Sequence, residues 1–310
     1  MQPDINAVHA DQRLTNFSTK IAPDIKNCVW RAIAPVIGVD KKSDTYWTFN
    51  QGDQFRINAQ VIADGDAPPI TGYRLSNDSF ACEQYSQGTN LTWAQDKNAD
   101  AILRMRYNKT TFVTAQTELK IEKDLADAID TTGVAGTDVT GGSDFTQWND
   151  FDSSTPIDDM QDGIDAIVGA SGIFPNVARF GYQTWSKLAR NPEVMGVLGA
   201  HERAIVTPDL LAEALRLDKI IICQAIYNST DANQTASYSY IWGKNAHLMY
   251  VDPNPGPETA TALHTFEWQP FKVRTVPIEL NKTDVIERWG WYDQKVVGSN
   301  LMYYFYNAVA

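Results

Sequence analysis

The longest uninterrupted pattern in the chain is a one-sided apolar stripe over residues 98–131, a segment that contains no Gly or Pro. Apolar side chains recur there at steps of three, four or seven, which predicts one amphipathic helix with a single buried face. At about 1.5 Å per residue the helix would be about 45 Å long, which suits the spine of an elongated subunit. The predicted buried positions are Ile102, Met105, Phe112, Ala115 or Gln116, Leu119 and Ala126.

Both ends of this predicted helix carry capping signals. Asn98 or Asp100 can cap the first turn with a side-chain oxygen. Gly133 follows the last turn, where glycine commonly ends a helix. A polar, glycine-rich linker is expected over residues 131–143.

Residues 50–95 have a different pattern, with two β-leaning runs around the polar segment ADGDAPPITG. This arrangement predicts a long hairpin. An isolated two-stranded hairpin is only marginally stable, so this one must lie on another surface, either its own domain or a neighbouring subunit. The sparse apolar content favours the neighbour. The apolar residues are Phe55, Ile57, Val61 and Ile62 in the first run and Tyr73, Leu75, Phe80, Cys82 and Tyr85 in the second.

The segments on either side of these two elements differ in character. Residues 1 to about 40 predict a mostly extended arm with a short helix near residues 21–25, and residues 46–49 predict a strand. After residue 155, helices and strands alternate, which predicts a mixed α/β block. Three helices are expected. The first begins at Pro156 and is capped by Ser154 or Thr155, the second covers 182–188, and the third follows the cap Thr207. Its strands are expected at 177–180, 219–224, 238–242, 247–251 and in the tail, with 238–242 and 247–251 paired around Gly243-Lys244-Asn245.

Composition and charge narrow the function classes. The formal charge is −12, and Lys and Arg form no cluster, which argues against tight binding to nucleic acid. Three cysteines do not make a disulfide framework. The polar N-terminal segment does not resemble a secretory signal, and no apolar run approaches the ~20 residues that span a bilayer.

The sequence predicts no catalytic, cofactor-binding or metal-binding residues. None of the four histidines lies at a metal-ligand spacing from another His or Cys, and His247 is predicted to be a half-buried sheet residue. The glycine-rich segment TTGVAGTDVTGG lacks the GK[ST] of a phosphate loop. Cys223 lies mid-strand among isoleucines, where a thiol is protonated and inert. The aromatic tail LMYYFYNAVA is predicted to pack inside its own domain.

An ordered series of short blocks gives the most specific signal in the chain. Pro156-Ile157 is followed by Pro175-Asn176, Gly181 before Trp185, Asn191-Pro192-Glu193-Val194, Ala225-Ile226-Tyr227-Asn228, Trp242-Gly243-Lys244-Asn245-Ala246, Lys295-Val296-Val297 and Asn307-Ala308-Val309. In order and spacing these blocks resemble the major capsid proteins of tailed bacteriophages, over roughly residues 30–310.

The resemblance implies an α+β fold with four parts: an N-terminal arm, an E-loop hairpin that lies across an adjacent subunit, a P-domain with a long spine helix, and an axial A-domain. On this chain the expected division is residues 1–45 for the arm, 46–95 for the E-loop hairpin with flanking strands, 96–145 for the spine helix and linker, 146–275 for the A-domain and 276–310 for the strands that return to the P-domain.

The resemblance further implies a structural protein without enzymatic activity or cofactor. It implies self-assembly into the hexamers and pentamers of an icosahedral virion shell, assembled in the host cytoplasm, that contains double-stranded DNA without specific binding. Scaffold, portal and decoration proteins are the further partners it suggests, and no membrane is involved. The residues expected at the hairpin's intersubunit contact are Phe55, Arg56, Tyr73 and Tyr85.

Two other functions remain open from the sequence. One is a cellular encapsulating compartment of the same fold, which would hold enzymes instead of DNA. The other is a soluble α/β enzyme, which would need a catalytic pocket for which the sequence offers no candidate residues. A decoration or tail-tube protein is disfavoured because those proteins are mostly β, whereas this chain predicts a long helix and a mixed α/β block.

Overall fold

The computed structural model describes residues 24–99, 104–197, 206–231, 233–256 and 259–310. Of the predicted arm, residues 1–23, including most of the short helix expected near residue 21, lie outside the described residues. The helices are α1 (Trp30–Ile33), α2 (Gln51–Gln54), α3 (Trp93–Asn98), α4 (Met105–Ile129), α5 (Pro156–Ser171), α6 (Tyr182–Leu188), α7 (Pro192–Val197) and α8 (Pro208–Leu215). The strands are β1 (Val36–Gly38), β2 (Ser43–Phe49), β3 (Leu75–Ala81), β4 (Glu83–Thr92), β5 (Thr137–Thr140), β6 (Val177–Gly181), β7 (Lys219–Cys223), β8 (Ile226–Asn228), β9 (Tyr238–Tyr240), β10 (Ala246–Met249), β11 (Leu263–Ile278), β12 (Thr283–Val296) and β13 (Met302–Tyr306).

Two larger sheets organise these elements, in agreement with the predicted α+β class. One sheet has the order β1-β11-β12-β4, and the long helix α4 packs on its β4 and β12 strands. The other has the order β5-β13-β10-β6-β7 and packs against α5. The strands β2 and β3 form a separate two-stranded hairpin, and β8 and β9 form another. The hairpin therefore leaves the first sheet as a projection.

The long helix α4, hereafter the spine helix, is shorter than the sequence predicted. It begins at Met105 and, at 1.5 Å per residue, is about 37 Å long. A separate helix, α3, ends at Asn98, and a Thr92–Gln95 capping box fixes its start. Asn98 is therefore no cap of the spine helix; its N-cap is Arg104, in a left-handed conformation without a side-chain cap. Asp100 and Ile102 lie outside the described residues.

The buried face of the spine helix was predicted only in part. Ala115 and Ala126 are buried, but Phe112 is 48% exposed and Gln116 is exposed. The face that packs on the sheet also contains two acidic residues, which an apolar count assigns to solvent. Its buried members are Val113, Ala115, Thr117, Glu118, Ile121, Glu122, Leu125, Ala126 and Ile129.

The strands of the hairpin also differ from the prediction. Residues 55–62, expected as a strand, have no regular structure, and the partner of β3 is β2, with Ser43 opposite Ala81 and Phe49 opposite Leu75. The predicted second run continues into β4, which leaves the hairpin and pairs with β12 over ten positions. Strand β3, the partner of β2, runs into β4, the partner of β12, without a turn signal between them. The sequence therefore predicted one hairpin where the chain joins two different sheets.

The second half of the chain follows the local signals closely. The helix from Pro156, the strand from Val177, the helix from Tyr182 and the strand from Lys219 are all confirmed. Thr207 caps α8 through its hydroxyl, as predicted. The tail strand β13 is buried inside this domain, between β5 and β10.

One predicted pairing in this half is wrong. Strands β9 and β10 flank the Gly243-Lys244-Asn245 turn but do not pair with each other: β9 pairs with β8, and β10 pairs with β6 and β13. The reason is burial, since all four β10 residues are buried and need a sheet neighbour on each side.

Aspartate substitutions at two positions of the spine helix distinguish the face that is buried in the structure from the face that the sequence predicted. We expect Leu125→Asp, which buries an unpaired charge at a fully buried site, to lower the free energy of unfolding by more than about 4 kcal/mol and to abolish soluble protein. Phe112→Asp, at a half-exposed site, should cost about 1 kcal/mol. Soluble yield and urea unfolding measure both. Equal damage from the two substitutions would contradict the assigned face.

Candidate intersubunit surface

The hairpin carries the largest concentration of exposed apolar side chains in the described residues. Ile57, Val61 and Ile70 are almost fully exposed, at 93%, 103% and 98%. Such a concentration of exposed apolar side chains marks a candidate site of protein–protein contact. The exposed apolar residues of this segment, hereafter the hairpin surface, are Trp47, Phe49, Phe55, Ile57, Val61, Ile62, Ile70, Tyr73 and Leu75.

The base of the hairpin is anchored on the four-stranded sheet. The ring of Phe80 stacks on Phe266 with centroids 4.6 Å apart, and Tyr46 packs on the same ring at 5.5 Å. The backbone N–H of Ala81 donates to Asp293 Oδ2 at 2.9 Å. These contacts fix the direction in which the two strands leave the sheet.

The hairpin also touches its own subunit just beyond β2. The Gln51 side chain donates to the carbonyl oxygen of Ala170 and accepts a 2.8 Å hydrogen bond from Asn300 Nδ2. The Phe55 ring lies 3.5 Å from the place that a Cβ would take at Gly172, the C-cap of α5. Between these contacts and the anchored base lies a groove of about 1060 Å³.

An ion pair shapes the start of the hairpin tip. Arg74 donates to Asp53 from its backbone N–H, from Nε at 2.8 Å and from Nη2 at 3.1 Å, and Arg56 lies 3.6 Å from the same carboxylate. The side-chain hydrogen bond from Arg74 is the main cause that holds the pKa of Asp53 below its usual value. The outgoing chain at Asp53 and the returning chain at Arg74 are thereby held together on either side of the irregular segment 55–73.

The structure brings together three of the four predicted contact residues. Phe55, Arg56 and Tyr73 all lie on the hairpin tip and are mostly exposed. Tyr85 lies apart, in β4, where its ring stacks on Tyr292 at 4.4 Å and is partly buried by the subunit itself. An intersubunit role for these four residues stays a prediction, and the geometry favours the first three.

Two buried carboxylates hold the body that carries the hairpin. Glu118 accepts hydrogen bonds from Trp30 Nε1 at 2.7 Å, from Arg288 Nη2 at 2.6 Å and from Arg31 at 3.1 Å. Burial alone would raise the pKa of Glu118, but the hydrogen bonds from Trp30, Arg288 and Arg31 lower it, so it is charged. One carboxylate therefore ties α1 and β12 to the spine helix.

Glu122 lies one turn further along and binds a different pair of elements. Its Oε2 accepts the backbone N–H of Trp30 at 2.8 Å, and its Oε1 accepts the indole N–H of Trp242. Glu122 is fully buried, and this burial raises its pKa to about 7. Trp242 precedes β10, so Glu122 joins α1 and the spine helix to the five-stranded sheet.

A third buried cluster attaches the end of the spine helix to the same sheet. Arg179 Nη2 donates to Asp130 and, at 2.6 Å, to His247 Nδ1, while His247 Nε2 lies 3.2 Å from the carbonyl oxygen of Ile129. Because an arginine only donates, His247 is neutral with its proton on Nε2. Burial lowers the pKa of His247 well below its usual value, in agreement. His247 is completely buried, not half-buried as predicted.

Sequence reasoning missed these polar clusters because each acidic residue was read as solvent-facing. A usable signal existed: Glu118, Ile121, Glu122, Leu125 and Ile129 follow helical spacing as one face. Cys223, in contrast, is as predicted, since it is buried in β7 and burial raises its pKa.

Metal clusters and membrane-spanning helices are both absent from the described residues. Across them no group of three or more His, Cys, Asp or Glu side chains could hold a metal ion. No described helix is long and apolar enough to cross a membrane.

Comparison with known sequences points to one kind of protein. No family profile matches the chain. The major capsid protein of Pseudomonas phage JBD67 is 23% identical over 229 residues, which is 71% of each chain. The major capsid protein of Burkholderia phage BcepMu is 31% identical over 108 residues, which is 35% of this chain and 34% of that protein.

Comparison with solved structures shows the fold over nearly the whole chain. A phage-related protein from Bordetella bronchiseptica has a TM-score of 0.72 at 16% identity, covering 94% of this chain and 98% of that one. The capsid of cyanophage P-SCSP1u has a TM-score of 0.59 at 10% identity, covering 93% and 89%. An encapsulin complex from Synechococcus elongatus has a TM-score of 0.51 at 10% identity, covering 99% and 96%. The fold that the sequence resemblance implied is confirmed.

Removal of one buried carboxylate tests the joint between α1, the spine helix and β12. We expect Glu118→Ala to lower the free energy of unfolding by about 3–5 kcal/mol, because it leaves the buried Arg288 without its partner. Lys120→Ala, which removes the exposed pair with Asp124 on the same helix, should cost about 0.5 kcal/mol or less. Urea unfolding of the unassembled subunit measures both. A loss below about 1 kcal/mol for Glu118→Ala would contradict the assigned role.

The raised pKa of Glu122 predicts a pH dependence with a definite sign. The folded pKa of about 7 exceeds the ordinary glutamate value of 4.5, so the folded state binds more protons between these two pH values. Its contribution to stability is complete below pH 4.5 and is lost as the pH rises through about 7. Relative to Glu122→Gln, which does not titrate, wild type should therefore lose about 3 kcal/mol between pH 4.5 and 8. Parallel stability–pH curves for the two proteins would refute this.

Proposed function

We propose that this chain, a homologue of tailed-phage major capsid proteins with their fold, is the subunit from which the shell of a phage head is built. The observation that carries the proposal is the hairpin surface, because a solitary protein gains nothing from nine exposed apolar side chains on one projection. Copies that cover one another's hairpins bury this surface. The work of the protein is then self-assembly, not catalysis.

Physical considerations support a closed shell. An obligate contact between subunits buries roughly 2,000 Å² or more, and a closed arrangement of hexamers and pentamers repeats that contact until no hairpin is left uncovered. The net charge of −12 suits a wall that contains DNA without adhering to it. Scaffold, portal and decoration proteins are the additional partners that we propose for assembly in the host cytoplasm.

The functional division that we propose keeps the predicted parts. Residues 1–45 act as the arm, 46–95 as the hairpin with its flanking strands, and 96–145 as the spine and linker. We assign 146–275 to the A-domain and 276–310 to the closing strands, of which β12 lies in the sheet under the spine helix and β13 completes the five-stranded sheet. Phe55, Arg56 and Tyr73 are the proposed contacts at the hairpin tip. The hairpin's anchored base and exposed tip support the hairpin part of this division.

A cellular compartment is the second candidate, since the fold is shared with an encapsulin. The sequence relatives favour the phage reading, because both are major capsid proteins. Electron microscopy of particles from the native source separates the two: DNA-filled heads support the proposal, and protein-filled particles support the compartment.

Removal of the hairpin tip tests the proposed function. We expect that replacing residues 55–73 by a short Gly-Ser linker leaves folded subunits that do not form shells, because β2, β3 and the anchored base stay intact. The deletion must stop before β4, which belongs to the main sheet. Circular dichroism measures folding, and sedimentation with negative-stain microscopy measures assembly.

A matched pair of substitutions controls for the deletion. Ile57→Asp with Ile70→Asp should block assembly by charging the hairpin surface, whereas Gln60→Ser, an exposed polar site on the same segment, should assemble like wild type. Shells of normal yield from the tip deletion would show that the hairpin is no intersubunit device.

A further inference from the structure

The hairpin crosses the groove of about 1060 Å³ and contacts its own subunit on both sides of it. On one side, the ring of Phe80 stacks on Phe266 of the four-stranded sheet. On the other side, Gln51 and Phe55 contact the end of α5, and Gln51 also contacts the turn before β13. The hairpin is therefore held at its base and again just beyond β2, with the groove between the two places.

The groove divides the hairpin surface into two parts. Five of the nine exposed apolar side chains line the groove and so lie over their own subunit, hereafter the inner part: Trp47, Phe49, Phe55, Tyr73 and Leu75. The other four do not line it: Ile57, Val61, Ile62 and Ile70. The side chains of the inner part are still 47–66% exposed, so the opposite wall of the groove does not cover them.

The contact just beyond β2 consists of three weak interactions, hereafter the latch. The Gln51 side chain donates to Ala170 O and accepts from Asn300 Nδ2, and the Phe55 ring lies over Gly172. Both hydrogen bonds are exposed, so water can replace each partner and the net gain from either bond is small. Ala170 O lies in the last turn of α5, where carbonyl oxygens have no partner within the helix and turn readily to solvent. The latch can therefore open at little cost.

The tip of the hairpin is joined to the latch. Asp53 belongs to the same short helix as Gln51, and Arg74 donates to it from its backbone and its guanidinium. The backbone N–H of Asn50 donates in turn to Arg74 O at 3.1 Å. The outgoing and returning chains are thus tied together beside the latch. When Gln51 is released, both chains move as one unit, while the stacked base at Phe80 stays in place.

We propose that the latch is an autoinhibitory contact. While it is closed, the inner part of the hairpin surface lies over the subunit's own groove, and its opening lets a neighbouring copy cover that part. This inference rests on the proposed function, since it concerns the regulation of assembly. The apparent affinity between subunits then falls in proportion to the fraction that is open. Weak contacts suffice for this, because a difference of a few kcal/mol already makes the open state a minor one.

Removal of the latch hydrogen bonds tests the sign of this effect. Gln51→Ala removes both bonds, so we expect the initial rate of assembly to rise at least about threefold, because the open fraction grows. Gln54→Ala, at an exposed glutamine of the same helix whose side chain makes no hydrogen bond within the described residues, should assemble at the wild-type rate. Light scattering at equal subunit concentration measures the rate, and circular dichroism with urea unfolding confirms that both variants fold.

An unchanged or lower rate for Gln51→Ala overturns the proposal. A lower rate would show that the same contact acts as a brace, which orients the hairpin for assembly instead of restraining it.

A reversible covalent lock tests whether the latch must open. In a Cys28→Ser background, Gln51→Cys and Asn300→Cys place thiols on the two sides of the latch, where the native side chains are in hydrogen-bond contact at 2.8 Å. A short bifunctional methanethiosulfonate joins the two thiols within one subunit, and dithiothreitol releases them. Cys82 and Cys223 are buried and should not compete for the reagent. We expect joined subunits to stay unassembled and to assemble after reduction.

The same double variant supplies its own control. Methyl methanethiosulfonate caps both thiols without joining them and should leave assembly intact, and mass spectrometry distinguishes a bridge within one copy from a bridge between copies. Joined subunits that assemble as fast as capped ones overturn the latch but leave the proposed function intact. Failure of wild type to assemble overturns the proposed function itself.

Discussion

The structure depends on a continuous chain of buried polar contacts along one face of the spine helix. Glu118 holds α1 and β12, Glu122 holds α1 and Trp242, and the Arg179 guanidinium lies 4.2 Å from the Trp242 ring before it reaches Asp130 and His247. Each charge is buried, so each would be costly if its partner moved away. The four-stranded and five-stranded sheets are thereby fixed to one rod by directional bonds as well as by apolar packing.

Because these buried hydrogen bonds have fixed directions, the two sheets and the spine helix can support a hairpin that is not stable by itself. Apolar packing tolerates sliding and repacking, but a carboxylate such as Glu118, which accepts bonds from one indole and two guanidinium groups, has one geometry. The base of the hairpin inherits this geometry, because Phe266 and Asp293 belong to strands of the sheet that the spine helix covers. The exposed tip is then presented in a defined direction, which the proposed shell requires of every copy.

The sequence predicted what local chemistry decides and failed where the deciding partner is far along the chain. The cap at Thr207 and the helix from Pro156 follow from neighbouring residues, and the structure agrees. The allocation of β4 to the hairpin was wrong because its ladder partner, β12, lies about 190 residues away. The acidic residues Glu118 and Glu122 were missed because their indole donors, Trp30 and Trp242, are also far along the chain, 88 and 120 residues away. The sparse apolar content of the hairpin predicted that it would be poorly packed on its own subunit, but which of its residues are exposed could be read only from the fold.

The order of the five-stranded sheet has a consequence for synthesis. Strand β5 ends at Thr140 and has β13 as its neighbour in the sheet, which begins at Met302. At about 5–20 residues per second, a ribosome needs roughly 8–30 s to make the chain between them. For that interval the sheet remains incomplete, with β10 also waiting for its second neighbour. Nascent chains therefore cannot form the finished domain until translation has passed β13.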